Sequence, residues 1–191
     1  GSGTVFFSGC TLRCVYCQNY EISSEGRGRE ISISRLREIY EELIAQGAHN
    51  INLVTPTHFT EAILLSLEKP LPVPVVYNTN GYESVENLKR LEGKIQIYLP
   101  DVKYSDDALA LRYSHAKEYF QTAKRAVREM FRQTGSYRIS EETGLLERGV
   151  VIRHLLLPNH VENTLRVIDW VAETFDPGEV LFSLMRQYVP H

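Results

Sequence analysis

The chain has 191 residues, 43% hydrophobic and 24% charged, the composition of an ordinary soluble globular protein long enough to bury one substantial core. Its 21 basic and 24 acidic side chains are interspersed and sum to −3, so there is no electrostatic footprint for a nucleic-acid or anionic-membrane partner. No apolar run approaches the ~20 residues of a membrane helix and no signal-peptide pattern opens the chain, so a cytoplasmic location is expected.

The first predicted element is a strand at TVFFS (4–8), rich in β-branched and aromatic residues. It runs into a loop carrying Cys10, Cys14 and Cys17, followed by SSEGRGR (23–29), which reads as a solvated surface loop. SRLREIYEELIAQG (34–47) places Leu36, Ile39, Tyr40 and Leu43 on one helical face, with a serine start and Gly47 as a stop. A strand at NINLV (50–54) precedes VTPTHF (54–59) and a helical FTEAILLSLEK (59–69). PVVYN (74–78) leads through the turn in YNTNGY (77–82) to a helix at SVENLKRLE (84–92). KIQIYL (94–99) is the next strand, and two helical stretches follow it, DALALRYSHAKEY (107–119) and QTAKRAVREMFRQTG (121–135). The series closes with the strand VVIRHLLL (150–157), the helix VENTLRVIDWVAETF (161–175) ended by Pro177-Gly178, and the strand EVLFSLM (179–185).

Most of these strands are continuous apolar runs, as expected of strands buried on both faces of a parallel sheet. Their alternation with helices over short connections predicts an α/β architecture with right-handed crossovers. Six strands are too few for a complete eight-stranded barrel and fit either a partial barrel or an open doubly wound sheet. No composition shift, low-complexity tract or internal repeat suggests a second domain.

All three cysteines lie within eight residues, spaced C-x3-C-x2-C directly after the first strand. An odd, tightly clustered set argues against a disulfide framework and for metal or redox chemistry. Thiolates are soft ligands that select iron–sulfur clusters, zinc or copper(I). A 4Fe–4S cluster has four irons, so three cysteines leave one iron open to bind something else.

C-x3-C-x2-C with an aromatic residue, Tyr16, before the last cysteine resembles the signature of the radical S-adenosylmethionine (radical SAM) superfamily. FFSGCTLRCVYCQN (6–19) resembles more narrowly the pyruvate formate-lyase activating enzyme group, with its FF-x-GC-x-x-RC-x-YC-x-N, and within that group an uncharacterised iron–sulfur branch. The resemblance implies a partial (β/α)6 TIM-like barrel of parallel strands, with residues 1–191 forming a single radical SAM domain. It implies a 4Fe–4S cluster held by Cys10, Cys14 and Cys17, with S-adenosylmethionine as the second cofactor and Tyr16 among the cofactor-binding residues. Relatives often carry further residues at either end, so substrate-gating elements are expected outside this stretch.

Further matches assign the rest of the cofactor site. After the second strand the family carries GGE, whereas this chain reads Thr55-Pro56-Thr57-His58. Thr57 hydroxyl or local carbonyls, including Thr55, would replace the lost contacts; the competing reading is an ordinary turn with Thr57 as a helix cap. His58 is either a substrate contact or a helix-start residue. The turn in YNTNGY is similar to the family's D/E-TNG and implicates Asn80, although Asn80-Gly81 is also a generic turn dipeptide. LPDVKYSDD (99–107) is similar to the family's LDLK, which sets Asp101 and Lys103 toward the cofactor, Lys103 pairing with a carboxylate. VVIRHLLLPN resembles WIRYVVVPG and assigns Arg153 to the S-adenosylmethionine carboxylate, against a structural ion pair; His154 is expected to point the other way. Gln187 and Tyr188 are the nearest equivalents of a family histidine near the ribose.

The activity so implied is reductive cleavage of S-adenosylmethionine to a 5′-deoxyadenosyl radical, which activates a glycyl radical enzyme or modifies a protein or peptide. An electron donor such as flavodoxin or ferredoxin is the expected partner. The alternative is a non-catalytic α/β module whose three cysteines, completed by a histidine, hold a structural zinc.

Overall fold

The computed structural model describes residues 1–188. In chain order its elements are β1 (Ser2–Phe6), α1 (Tyr20–Ser23), α2 (Ile33–Ala45), β2 (Asn50–Val54), a 3-10 turn (Thr57–Phe59), α3 (Thr60–Ser66), β3 (Val75–Thr79), α4 (Val85–Arg90) and β4 (Ile97–Pro100). They continue with α5 (Asp107–Ser114), α6 (Tyr119–Thr134), β5 (Arg138–Ile139), β6 (Leu146–Leu155), α7 (Val161–Thr174) and β7 (Leu181–Met185). Among the described residues no helix is long and apolar enough to cross a membrane.

The parallel strands follow one another in the order β1-β2-β3-β4-β6-β7, and β5 is a two-residue antiparallel partner at the start of β6. A doubly wound sheet would reverse its order at a switch point. This sheet never reverses, so the fold is a partial (β/α)6 barrel. It is not closed: among the described residues β1 and β7 are not paired.

Local sequence explains most helix limits. Ser32 caps α2 by accepting from Arg35 N (3.1 Å), and Leu36 and Tyr40 bury the face turned to the sheet. Asp106 caps α5 through Ala108 N (2.7 Å). The predicted helix 107–119 stops at Ser114, because His115 takes a left-handed conformation (φ 54°) that ends α5. After Glu118 (φ 48°), α6 begins at Tyr119 and buries Ala123, Ala126, Val127 and Met130 at helical spacing. The short β5 strand and the early start of β6 were outside the apolar-run reading, since Arg138, Glu147 and Arg148 do not look like a buried sheet.

Side chains form two apolar clusters. The larger fills the space between sheet and helices around Tyr40, Leu53, Tyr77, Leu88, Tyr98 and Ile152. The smaller, around Leu12, Tyr104, Ala110, Tyr119 and Leu157, lies beneath the cysteine loop, with Cys10, Cys14 and Tyr16 packed against it. Leu12 is 3% exposed, and burying such a side chain contributes about 1.5–3 kcal/mol, enough to seat the loop between its cysteines.

Candidate active site

Strand register brings the carboxyl ends to one level: Phe6 pairs with Val54, Val54 with Asn78, Asp101 bridges to Arg153, and Leu155 pairs with Met185. Loops that leave these ends enclose a cavity of about 340 Å³, walled by Cys10, Cys14, Cys17, Thr55, Asn78, Asn80, Asp101, Lys103 and Arg153 among others. The sequence-assigned Tyr16, Gln187 and Tyr188 also line it, and Thr57 does not.

The cysteine loop is held at several points. Gly9 N donates to Ile22 O (2.9 Å), and His58 Nε2 bonds Ser8 O (2.7 Å), so His58 anchors the loop's entry. Arg13 N and Val15 N donate to Ser114 O (3.2 Å) and Tyr113 O (2.9 Å). These are final-turn carbonyls of α5, which a helix leaves without internal donors. The left-handed His115 that ends the helix thereby creates the seat for the middle of the loop.

The three cysteines form no disulfide among the described residues and are partly exposed, and each has a hydrogen-bonding group beside it. Cys10 Sγ accepts from Leu12 N and Asn80 Nδ2, both at 3.4 Å. Cys14 Sγ accepts from Ser114 Oγ at 2.9 Å, and Cys17 Sγ lies 3.2 Å from Ser23 Oγ. Burial raises the Cys14 thiol pKa, while Lys103 and the Ser114 hydrogen bond oppose that rise. Behind Ser114 the bonding continues: Tyr104 OH lies 2.6 Å from Ser114 Oγ, and Tyr16 OH lies 2.6 Å from Tyr104 OH.

Among the described residues no three His, Cys, Asp or Glu side chains converge on a single metal ion. A 4Fe–4S cluster makes a different demand, since each cysteine binds its own iron and the sulfurs stay apart. Three sulfur ligands on one loop, surrounded by N–H and O–H groups and facing a cavity, fit such a cluster.

Opposite the thiols sits a charged triad. Asp101 Oδ2 bonds Lys103 Nζ (2.7 Å), its Oδ1 bonds Arg153 Nε (2.8 Å), and Arg153 Nη2 donates to Asn78 Oδ1 (2.7 Å). Burial works to raise the Asp101 pKa, but Lys103 and Arg153 outweigh it and hold the carboxyl below its ordinary range. Burial likewise works against the Lys103 charge, which Asp101 above all restores. Two cations against one anion leave a net positive charge at the strand ends, suited to an anionic group. Arg153 therefore does make the structural ion pair weighed for it, and it lines the cavity as well.

The turn after β2 departs from ordinary geometry. Thr55 has φ 59°, a conformation that costs a β-branched residue about 1–2 kcal/mol and that glycine adopts freely. Its N–H donates to Asn78 O (2.9 Å), which ties the strained residue to β3. Thr57 hydroxyl donates to Glu83 Oε1 (2.5 Å) instead of facing the cavity or capping a helix, and Thr79 Oγ1 donates to the same oxygen. Glu83 is 2% exposed and burial pushes its pKa up to about 7.

Asn80 spans two loops, donating to Cys10 Sγ and to Thr11 Oγ1 (2.8 Å) while its Oδ1 accepts from Tyr82 N (2.9 Å). Gly81 has φ 79°, and a Cβ there would lie 2.1 Å from Asp101 O. This Asn-Gly turn is thus pressed against β4, unlike a free hairpin turn. Tyr119 joins the same parts: its hydroxyl contacts Asn80 O (2.8 Å) and Asp101 O (2.9 Å) and accepts from Lys103 N (2.9 Å). His154 faces away from the cavity, bonding Val102 O (2.5 Å) and Thr164 Oγ1 (2.9 Å) on α7.

Sequence reasoning missed Glu83, Tyr104, Ser114 and Tyr119. Glu83 had a signal, an acidic residue two positions past Asn80-Gly81. The other three sit in or beside helical stretches where the pattern reads them as core or surface.

An open partial barrel with a three-cysteine loop at the carboxyl ends of its strands defines a radical SAM type of protein. Residues 4–171 match the Radical SAM superfamily, and the chain belongs to that superfamily. Its members use a 4Fe–4S cluster and S-adenosylmethionine and need an electron donor to reduce the cluster. An uncharacterized protein of Methanocaldococcus jannaschii is 32% identical over 199 residues, covering 99% of this chain and 54% of the relative. The chain thus spans about half the length of the curated relative it matches. Among solved structures, SuiB of Streptococcus suis bound to S-adenosylmethionine is similar, with TM-score 0.65 and 14% identity over 97% of this chain and 40% of SuiB. Methylornithine synthase has TM-score 0.61 and 16% identity over 98% of this chain and 55% of the synthase.

Proposed function

We propose that this chain holds a 4Fe–4S cluster on Cys10, Cys14 and Cys17, binds S-adenosylmethionine in the adjoining cavity, and is a radical-generating enzyme. The carrying observation is the placement of three thiols and the Asp101–Lys103–Arg153 triad on facing walls of one cavity. Held by Cys10, Cys14 and Cys17, a bound cluster would supply the electron for reductive cleavage of the S-adenosylmethionine sulfonium.

The chain's own groups bind and orient. Lys103 and Arg153 supply the positive charge for the methionyl carboxylate, and Asp101 sets their spacing and limits the net charge. Thr55 offers its backbone to the methionyl amino group in the glycine-like conformation that stands in for the family's GGE. Asn80 ties the cofactor wall to Cys10 and Thr11. Tyr16 lines the cavity beside the cysteines, and Thr57 acts one step back through Glu83.

Residues 1–191 then act as one radical SAM domain in the cytoplasm, reduced by a flavodoxin or ferredoxin. The FFSGCTLRCVYCQN resemblance supports a pyruvate formate-lyase activating enzyme-like reaction, with hydrogen abstraction from a glycyl radical enzyme or another protein or peptide. The zinc module predicts ligands converging on one ion, an arrangement that the described residues do not provide.

The test is anaerobic reconstitution with iron and sulfide, then addition of dithionite and S-adenosylmethionine and chromatography for 5′-deoxyadenosine. Product is expected from the parent chain and none from Cys14→Ala. No product from a fully loaded parent overturns the enzyme reading, and a colourless, air-stable zinc protein establishes the alternative.

A further inference from the structure

We propose that Tyr16, Tyr104 and Ser114 form a one-way hydroxyl relay that ends on Cys14 Sγ and raises the reduction potential of the cluster held there. This rests on the cluster reading above.

The direction of the relay follows from proton bookkeeping. A cysteine bound to iron is a thiolate and can only accept, so the contact at 2.9 Å requires Ser114 O–H to donate. Its single proton is then committed, and the 2.6 Å contact to Tyr104 requires the phenol to donate to Ser114. Tyr104 in turn accepts from Tyr16 OH, also at 2.6 Å. Every O–H dipole therefore points toward the same sulfur. Chains of this kind polarise one another, so each link strengthens the next.

The surroundings favour a tuning role over a merely structural one. Tyr104 is 0% and Ser114 1% exposed, so solvent does not compete for the bond between them. Ser114 closes α5 and its carbonyl accepts from Arg13 N, which fixes the serine against the cysteine loop from two sides. Cys10, by contrast, accepts among the described residues from N–H donors at the longer distance of 3.4 Å.

Hydrogen bonds to ligating sulfur are among the levers that set iron–sulfur potentials. Reduction adds one electron, taken from an external flavodoxin- or ferredoxin-class donor, and increases negative charge on the sulfurs. O–H groups aimed at Cys14 stabilise the reduced state more than the oxidised one. No bond breaks in the relay and no proton leaves it.

The experiment is an EPR-monitored redox titration of the reconstituted 191-residue chain and three variants, with iron and sulfide measured first. Ser114→Ala is expected to move the midpoint to more negative potential. Tyr104→Phe, which leaves the serine in place, is expected to move it less in the same direction, and Ser114→Thr to stay near the parent. A parent chain that takes up no cluster overturns the cluster reading and the relay with it. Loaded Ser114→Ala and Tyr104→Phe with unmoved midpoints overturn the relay alone. A shift in Ser114→Ala without one in Tyr104→Phe overturns it beyond the serine. Should Ser114→Ala fail to fold, an unmoved midpoint in Tyr104→Phe is sufficient to overturn it.

Discussion

Glu83→Gln is expected to stabilise the protein in a pH-dependent way. Glu83 is buried, and Oε1 alone accepts from both Thr57 and Thr79, while Oε2 has no partner among the described atoms. Burial raises its pKa from the ordinary 4.5 to about 7, although the threonine hydroxyls pull it down. The folded state therefore holds a proton that the unfolded state has released, and the associated stability is full below pH 4.5 and lost as pH rises toward 7. The rise from 4.5 to about 7, at about 1.4 kcal/mol for each tenfold change in proton affinity, corresponds to about 3.5 kcal/mol in total. Glutamine keeps an oxygen for both threonines and never ionises. The difference in unfolding free energy between Glu83→Gln and the parent should thus rise by about 3 kcal/mol between pH 4.5 and pH 8. Urea unfolding of the two cluster-free proteins across that range measures it, because all other titrations cancel in the difference. A difference that stays flat with pH refutes the argument and shows that folding leaves the Glu83 pKa at its unfolded value.

Gly81→Ala should destabilise the chain by more than about 2 kcal/mol in urea, since the new Cβ would meet Asp101 O at 2.1 Å in a backbone region that disfavours alanine. S-adenosylmethionine affinity, followed by calorimetry, should fall with it because Asp101 shifts. Tyr119→Phe removes the acceptor of Lys103 N and a donor to two carbonyls, and should cost about 1–3 kcal/mol in the same unfolding assay. Asp101→Asn leaves Lys103 and Arg153 facing each other without their shared anion. A loss of about 3 kcal/mol is expected, measured by urea unfolding; a loss below about 1 kcal/mol would mean that solvent already screens the pair.

Local sequence determined a large part of this protein. The apolar runs located all six parallel strands, and serine and aspartate caps and glycine stops bounded several helices. Cys10, Cys14 and Cys17 were legible as a group of soft ligands because their spacing confines them to one loop. Asp101, Lys103 and Arg153 were assigned together through the family resemblance, and the structure joins them in one ion-paired group.

Tertiary structure decided the rest. Strand periodicity is the same in a doubly wound sheet and a partial barrel, so only the pairing order separated them. Thr57 could not be placed from sequence, because whether its hydroxyl meets a ligand or a carboxylate depends on Glu83, 26 residues away. Ser114 lies 100 residues from the cysteine it touches. Thr55 shows the limit most clearly: its sequence lacks the family's glycine, while its backbone adopts the glycine-like conformation. Propensity disfavours that conformation at a threonine, and it persists through contacts between strands that no local pattern records.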